Sequence, residues 1–236
     1  MNRWKEIWNK RPVDVEESDD IFETYKKLKR LDGWDYQDEE GYYEGLFKQW
    51  QKMVHLLESH MDHKAESVFE VCCGSGANLF LFENQYRIGK AGGLDYSEPL
   101  LSVAKRVLKN TDLTYCEANC METDTKYDWV ISDSGFQYFS DETYGLEIFD
   151  KCLEKAKKAV FLTDIHDIEK KEEHLAYRKS KLEDYDKVYE GLEKAYYHRE
   201  KFLDRAKGKG FNAEVIIPDN KIYWNNSFVY DIYCWR

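Results

Sequence analysis

The chain has 236 residues and a formal net charge of −11 at pH 7. This length is enough for one domain with a substantial core, with or without an added lid. The acidic balance disfavours unspecific binding to nucleic acid or to an anionic membrane. The sequence has no apolar run long enough to span a bilayer, and its first residues lack the apolar centre of a secretory signal. We therefore expect a cytoplasmic protein.

The six cysteines form no pattern typical of a metal site or of a disulfide framework. None of them has CxxC spacing, and no pair of histidines or cysteines accompanies Cys116 and Cys120. We therefore expect reduced and mostly buried thiols, and we predict no metal ligands.

The N-terminal part of the chain predicts helices. Apolar periodicity favours helices over residues 4–10, 21–31 and 43–60, separated by breaks at 31–35 and 38–41. The third segment carries an apolar stripe, formed by Leu46, Trp50, Met53, Val54 and Leu57. This stripe predicts that the segment packs on the domain that follows it.

The most informative segment is 68–78, which reads VFEVCCGSGAN. A β-rich run over 68–73 ends in a turn with Gly74 and Gly76, and an apolar sequence then opens a helix. A strand, a glycine turn and a helix N-terminus together present bare backbone N–H groups and a partial positive charge to a ligand. The segment therefore predicts a site for a nucleotide cofactor.

Two residues bear on which nucleotide binds. The dinucleotide fingerprint needs a third glycine for helix–strand packing, and Leu79 stands at that position. Glu70 lies four residues before Gly74, where a carboxylate suits a cationic ligand better than a pyrophosphate. Both residues oppose an NAD(P)-dependent oxidoreductase, which is retained as an alternative.

The sequence Glu70-Val-Cys-Cys-Gly-Ser-Gly76 resembles the acidic-x-Gly-x-Gly-x-Gly signature of class I S-adenosylmethionine-dependent methyltransferases. Cys72 stands where the family usually has its first glycine. The resemblance implies S-adenosyl-L-methionine as the cofactor, with its ammonium or sulfonium end near Glu70. It also implies cofactor contacts from Cys72, Gly74, Ser75, Gly76 and Asn78.

A second motif follows at the distance that the resemblance requires. A predicted strand over 91–94 leads into Asp95, about 20 residues beyond the glycine turn, where an acid can bind ribose hydroxyls. Ser97 followed by an acid and a proline predicts the start of a helix. The motif is similar to the second family motif, which implies cofactor contacts from Asp95, Tyr96 and Ser97.

Strands and helices alternate from residue 67 onward, which predicts a parallel sheet with helices on both faces. The predicted strands are 68–73, 91–94, 114–117, 129–132, 159–163, 213–217 and 228–234. No helix separates the last two, so they can pair antiparallel, as the final strands of the family do. The fold class that we predict is α/β, a seven-stranded, mainly parallel, Rossmann-like methyltransferase sheet.

We predict a single methyltransferase domain over 1–236 with four parts. They are a helical N-terminal cap (1–64), a cofactor-binding core (65–164), a helical insertion (165–209) and the final strand pair (210–236). The spacing in the insertion predicts one helix face, although Gly191 interrupts it: Leu182, Tyr185, Tyr189, Leu192 and Tyr196. Connections of this length are usually functional. We interpret this one as an acceptor-binding lid, with a helix that forms a homodimer as the alternative.

The resemblance implies further site residues after the third and fourth strands. Near the end of the third strand, the implied adenine contacts are Asn119, Cys120 and Met121. After the fourth strand, Asp133 and Ser134 are implied near the methionine part of the cofactor, and Asp133 is also a catalytic candidate. Phe136 and Tyr138 are implied to face the acceptor.

His166 is the main candidate for a catalytic base. It follows the fifth predicted strand, at the sheet edge where ligands bind in such folds, and its near-neutral reference pKa suits proton removal. His198 is a second choice, and with Tyr197 it is a candidate for contact with the acceptor.

The resulting prediction is a methyltransferase acting on an O or N of a small polar metabolite. The W-x-x-I-W sequence at residues 4–8 resembles the start of small bacterial enzymes that modify surface-sugar or secondary-metabolite precursors. A protein that binds S-adenosylmethionine without catalysing transfer is the other alternative, because its binding residues would be the same.

Overall fold

The structure is a computed structural model that describes residues 3–15, 18–34 and 40–236. Seven strands in this part of the chain form one sheet. They are β1 (Ser67–Val71), β2 (Lys90–Asp95), β3 (Thr111–Tyr115), β4 (Tyr127–Asp133), β5 (Ala156–His166), β6 (Asn212–Ile216) and β7 (Val229–Trp235). Their order across the sheet is β3-β2-β1-β4-β5-β7-β6.

The sheet is mixed. Strands β1 to β5 pair in parallel, and β7 runs antiparallel to both β5 and β6. All seven predicted strands are present, and the final pair is antiparallel as predicted. The largest differences are at β5, which extends three residues beyond the predicted 159–163 at both ends, and at β3, which begins at Thr111 rather than 114. Strand β3 lies at the sheet edge and its side chains are mostly exposed. Because it has no buried face, its sequence shows little alternation of apolar and polar residues from which to predict its ends.

Helices cover both faces of the sheet. Within the described residues they are α1 (Arg3–Trp8), α2 (Ile21–Leu31), α3 (Tyr42–Ser59), α4 (Ala77–Leu81), α5 (Glu98–Val107), α6 (Glu142–Lys155), α7 (Lys171–Lys181), α8 (Tyr185–Val188) and α9 (Arg199–Gly208). A π-helical turn, Phe82–Tyr86, continues α4. The three N-terminal helices match their predicted positions to within two residues. None of the helices in the described residues is both long and apolar enough to cross a membrane.

The prediction of one helix face between residues 182 and 196 is wrong. Helix α7 ends at Lys181, before that pattern begins, and only the short α8 falls within it. The backbone is left-handed at Asp184 and Gly191 (φ +54° and +70°), and two such positions prevent one continuous helix. Tyr185 and Tyr189 stack instead, with ring centroids 4.7 Å apart.

The apolar core consists of two layers of side chains on either side of the sheet. The predicted stripe of α3 is buried in the first layer, where Trp50 packs edge-on against Phe82 with ring centroids 5.3 Å apart. The second layer includes Phe149 and Phe202, 5.0 Å apart. The two layers hold the sheet in place, and with it the carboxyl ends of the parallel strands that are described below.

Two helical glycines provide a matched test of this packing. A Cβ on Gly145 in α6 would overlap the side chain of buried Tyr197, whereas a Cβ on Gly208 in α9 would meet open space. We expect Gly145→Ala to lower the free energy of unfolding by about 1–3 kcal/mol through overpacking. Gly208→Ala should leave it unchanged or raise it by up to about 1 kcal/mol. Urea denaturation measures both, and equal effects of the two variants would contradict the packing described.

Candidate active site

The strand order changes direction between β1 and β4, which creates a crevice at the carboxyl ends of the parallel strands. Four carboxylates converge there from four different strands. Glu70 lies in β1, Asp95 ends β2, Asp133 ends β4 and Asp164 lies near the end of β5. All except Asp133 are buried. So many acids in one crevice predict a ligand or a side chain that carries positive charge.

The glycine turn joins β1 to α4 through left-handed backbone. Cys72, Gly74 and Gly76 have φ of +60°, +53° and +82°. The left-handed conformation at Cys72 is uncommon for a residue with a Cβ, and this is the position of the first glycine in the family signature. A Cβ on Gly74 would overlap the carboxylate of Asp32, so glycine is required for the close approach of α2.

Asp32, at the end of α2, binds the glycine turn directly. Its carboxylate accepts the backbone N–H of Ser75 at 2.7 Å and the Ser75 hydroxyl at 3.0 Å. Burial raises the pKa of Asp32 to about 7. Asp32 is not among the residues predicted from the sequence, because its only local signal is that of a polar residue at the end of a helix.

Glu70 has one carboxylate oxygen that lacks a partner. Its Oε1 accepts from Asn78 Nδ2 at 2.7 Å, while its buried Oε2 has no hydrogen-bond partner in the part of the chain that the structure describes. Burial raises the pKa of Glu70 well above its usual range. Buried polar atoms in proteins are normally paired. The orphaned oxygen therefore fits a cationic ligand group such as the ammonium of S-adenosylmethionine.

Asp133 forms an ion pair with Lys29 of α2 that is largely shielded from water. The Nζ–Oδ2 distance is 2.6 Å, and the two side chains are 18% and 4% exposed respectively. Burial favours the neutral acid, but Lys29 outweighs it and lowers the pKa of Asp133 below its ordinary value. Asn78 and Thr163 also donate to this carboxylate. An ionised acid of low pKa is a weak base, so the geometry supports a positioning role for Asp133 rather than proton removal.

The second motif is also held by backbone donors. Asp95 accepts the N–H of Gly74 at 2.9 Å and that of Ser97 at 2.7 Å, and burial raises its pKa to about 6. The Ser97 hydroxyl accepts from Leu100 N at the start of α5 and donates to the carbonyl of Trp8 at 3.1 Å. Helix α1 therefore lies over this motif.

These groups surround a cavity of about 70 Å³, which we call the glycine-turn cavity. Seven of the predicted cofactor residues line it: Glu70, Cys72, Gly74, Asn78, Asp95, Tyr96 and Ser134. Ser75, Gly76 and Ser97 lie in the same turns without being in its wall. The predicted adenine contacts lie elsewhere. Asn119 and Cys120 are exposed, and Met121 is buried in the core.

A second cavity of about 490 Å³, which we call the aromatic cavity, adjoins the first. Both cavities are lined by Trp8, Asp32, Trp34, Ser134 and Tyr138. The aromatic cavity is also lined by Tyr189, which belongs to the predicted lid pattern, and by aromatic and cationic residues that were not predicted from the sequence, among them Tyr223, Trp224, Arg11, Arg178, Lys181 and Lys194.

One of the four residues predicted to contact the acceptor lines the aromatic cavity. Tyr138 does so, with its ring 4.9 Å from that of Trp4. Phe136 and Tyr197 are buried in the core, where the Tyr197 hydroxyl donates to the Phe136 carbonyl. His198 pairs with Glu142 at 2.8 Å and lines neither cavity.

His166 is fully buried, with 0% of its surface exposed, and lines neither of the two cavities. Its Nε2 accepts from Asn225 Nδ2 at 3.2 Å, which places the ring proton on Nδ1. Burial lowers its pKa well below the ordinary value. The predicted role as base needs direct access to the acceptor. The geometry instead supports an indirect role through Asn225, which does line the aromatic cavity.

Asp164 organises the wall behind both cavities. Its carboxylate accepts from Ser134 Oγ, from Gln137 Nε2 at 2.7 Å, from the Tyr223 hydroxyl at 2.9 Å and from Asn225 Nδ2 at 3.4 Å. Burial raises its pKa to about 6. Because four donors occupy this carboxylate, its role is structural. Asp164 fixes the loop after β4 against residues 223–225.

Comparisons with known proteins agree with this architecture. Residues 68–159 match the family model of a methyltransferase domain. The chain is similar to malonyl-[acyl-carrier protein] O-methyltransferase of Anoxybacillus flavithermus, with 26% identity over 91 residues. This alignment covers 38% of the chain and 35% of that relative, so the chain spans about a third of the curated relative's length.

Solved structures share the fold over nearly the whole chain. Magnesium protoporphyrin IX methyltransferase from Synechocystis, solved with bound S-adenosylhomocysteine, is 12% identical with a TM-score of 0.62, covering 92% of this chain and 100% of that one. The plantazolicin methyltransferase BpumL, also solved with S-adenosylhomocysteine, is 10% identical with a TM-score of 0.66, covering 100% and 99%. DesVI of Streptomyces venezuelae is 15% identical with a TM-score of 0.61, covering 93% and 99%.

The fold, with its final antiparallel strands and its glycine turn at the switch point, is that of the class I methyltransferases. The family match identifies a methyltransferase domain over residues 68–159, and two of the similar structures hold S-adenosylhomocysteine.

The raised pKa of Asp32 makes a prediction for stability. Its folded-state pKa of about 7 lies above the ordinary value of 3.8. The folded protein therefore holds this proton more tightly than the unfolded chain does, and this contribution to stability is lost as the pH rises from 4 to 7. Asp32→Asn keeps an acceptor for Ser75 and cannot ionise. We expect it to raise the free energy of unfolding at pH 8 by roughly 1–3 kcal/mol and to change it little at pH 4.

Urea denaturation of the wild type and the variant at both pH values measures this difference. The control is Asp19→Asn at an exposed position ahead of α2. A difference between Asp32→Asn and the wild type that stays constant from pH 4 to pH 8 would contradict the electrostatics described.

Proposed function

We propose that this chain transfers a methyl group from S-adenosylmethionine to an O or N atom of a small polar metabolite with a planar, apolar part. The main observation that supports this proposal is that the glycine-turn cavity and the aromatic cavity share a wall, formed in part by Ser134 and Tyr138. An acceptor in the aromatic cavity would lie next to the cofactor. The names of the relatives support methyl transfer to small molecules, since two of them are a magnesium protoporphyrin IX methyltransferase and a plantazolicin methyltransferase.

The residues that would hold the cofactor follow from the two buried acids beside the glycine turn. Glu70 would bind the ammonium group through its orphaned Oε2, and Asp95 would bind the ribose. When bound, S-adenosylmethionine supplies an electrophilic methyl group. Asn78 fixes the orientation of the Glu70 carboxylate, and the N–H of Gly74 fixes that of Asp95. Both acids are thereby oriented before the ligand arrives.

We propose that catalysis here depends on alignment of the acceptor rather than on a side-chain base. Asp133 is ion-paired and His166 is buried away from the two cavities. The aromatic walls can hold a planar acceptor in one orientation and exclude water, and such positioning accounts for much of the rate in many enzymes. His166 then acts as a positioning residue for Asn225.

We also propose that the N-terminal helices and the insertion at 165–209 form a lid. Trp4 Nε1 donates to the Glu193 carbonyl at 3.0 Å, which joins α1 to the insertion. The glycine-turn cavity of about 70 Å³ is smaller than the roughly 300–1,000 Å³ of typical ligand sites. Entry of the cofactor therefore requires α1 or the end of α2 to move outward. The division into cap, core, insertion and final strand pair stays a prediction, as does a homodimer.

The cofactor site can be tested by calorimetric titration. S-adenosylhomocysteine retains the ammonium group, so we expect it to bind the wild type and NAD not to bind. Glu70→Gln removes the charge while keeping an acceptor for Asn78, and it should weaken binding roughly 10- to 100-fold. Glu147→Gln at an exposed site of α6 is the control. Binding of NAD without binding of S-adenosylhomocysteine would overturn the proposed function.

The role of His166 can be tested once an acceptor is known. A base would give a loss of turnover of about 10²–10⁴-fold in His166→Gln, together with loss of the acid limb of the pH–rate profile. A positioning residue predicts a loss below about tenfold, an unchanged acid limb and a similar loss in Asn225→Ala. Thermal unfolding of both variants identifies any part of the loss that comes from destabilisation. A large loss in folded His166→Gln with Asn225→Ala unaffected would contradict the positioning role.

A further inference from the structure

We propose that the aromatic cavity recognises an oxyanion on the acceptor, a carboxylate or a phosphate, through Arg178 and Lys194. This inference rests on the proposed function only in treating the cavity as the acceptor site. The binding chemistry itself follows from two cations that converge on one cavity.

Arg178 of α7 is a buried cation without a carboxylate partner. It is only 7% exposed, and within residues 3–15, 18–34 and 40–236 no acid lies at ion-pair distance from it. Its Nε donates to the Tyr185 hydroxyl at 3.0 Å, and its guanidinium lies 4.6 Å from the ring centroid of Tyr189 and 5.6 Å from that of Trp224. Aromatic faces stabilise a cation only in part. Buried charges are normally paired, so the burial of Arg178 favours a bound anion.

Lys194 presents a second cation to the same cavity. Its Nζ lies 4.0 Å from the ring centroid of Tyr138 and 4.7 Å from that of Trp4, and it donates to Gln137 Oε1. It forms no ion pair with any acid in the described part of the chain. Burial lowers the pKa of Lys194 well below its usual range and the charge of Arg178 lowers it further, whereas the Asp164 carboxylate raises it. A bound anion would favour the charged form of Lys194 and offset its repulsion from Arg178.

The rest of the cavity wall supports an anion and opposes a cation. Arg11 and Lys181 add positive charge, while the only carboxylate in the wall formed by described residues is Asp32, which is hydrogen-bonded to Ser75 in the glycine turn. The chain as a whole is acidic, with a net charge of −11, so a cluster of cations here is not a consequence of composition. A guanidinium offers paired donors that match carboxylate and phosphate oxygens.

The remainder of the acceptor is expected to be flat and apolar. Trp4, Trp8 and Tyr138 meet edge to face, with ring centroids 4.9 and 5.2 Å apart. Aromatic walls of this kind provide large contact areas for a planar group. The ligand class is therefore a planar, apolar molecule that carries an oxyanion.

Four probes of one shape test the proposal: 2-naphthoate, 2-naphthyl phosphate, neutral 2-naphthamide and cationic 2-naphthylmethylammonium. Each is titrated calorimetrically into the full chain in the presence of saturating S-adenosylhomocysteine. We expect one or both anions to bind at least roughly tenfold more tightly than the amide and the ammonium probe. The tighter of the two anions identifies whether the site takes a carboxylate or a phosphate. Equal affinities for all four probes, tighter binding of the cation, or no binding of either anion would overturn the proposal.

Variants of Arg178 and Lys194 test whether these two residues cause the preference for an anion. Arg178→Gln and Lys194→Gln should each reduce the preference for the anion over the amide roughly tenfold or more. Arg178→Lys keeps the charge without the paired donors, so it should retain part of the preference even if the glutamine variant folds poorly. Lys179→Gln is the matched control, because Lys179 lies on the same helix, is exposed and pairs with Asp186. An unchanged preference in folded Arg178 and Lys194 variants would overturn the assignment.

Titration of S-adenosylhomocysteine alone into the same variants separates this inference from the proposed function. Its binding should be unchanged by Arg178→Gln, because Arg178 does not line the glycine-turn cavity. If the wild type binds S-adenosylhomocysteine but shows no preference for an anionic probe, the oxyanion site is wrong and the proposed function is unaffected. Failure of the wild type to bind S-adenosylhomocysteine counts against the proposed function.

Discussion

The ion pair between Lys29 and Asp133 connects the N-terminal helices to the carboxyl edge of the parallel strands. Its Nζ–Oδ2 distance is 2.6 Å and both partners are largely shielded from water. Removal of one partner from such a pair typically costs about 3–5 kcal/mol, because the other charge is left buried. The pair fixes the end of α2, and with it Asp32 on the glycine turn and Trp34 under the Lys29 ammonium. The site is thus built by the sheet and the N-terminal helices together, and neither forms it alone.

The parts of the site that lie close together in sequence could be predicted. The glycine turn and Glu70 occupy one short segment, and Asp95 follows at a spacing set by one helix and one strand, so local patterns were sufficient. The fold was predictable for the same reason, since alternating strands and helices admit few arrangements. The pattern in 182–196 failed because helical spacing is a necessary but not a sufficient condition, and left-handed backbone at Asp184 and Gly191 overrides it.

The rest of the site could not be predicted because its residues come from distant segments. Lys29, Arg178 and Lys194 have the local signal of ordinary surface residues on amphipathic or irregular segments. The burial of His166 could not be predicted for a different reason. The pairing of β5 with β7 shifts register between Leu162 and Ile165, and Asp164 adopts left-handed backbone (φ +58°). This irregularity breaks the regular alternation of side chains along the strand. It places Asp164 at the functional edge and His166 in the interior.

The charges of the two cavities differ in sign. This difference would determine which of the two proposed ligands occupies which cavity. The glycine-turn cavity is lined by four acids, Asp32, Glu70, Asp95 and Asp133, and Lys29 is the one cation that the described residues place in its wall. Arg178 and Lys194 dominate the aromatic cavity. A cationic cofactor is attracted to the first cavity and repelled from the second, and an anionic acceptor behaves in the opposite way. Specificity arises from repulsion as well as attraction. The chain would therefore orient cofactor and acceptor toward their shared wall even before either makes close contacts, because each ligand is excluded from the other's place.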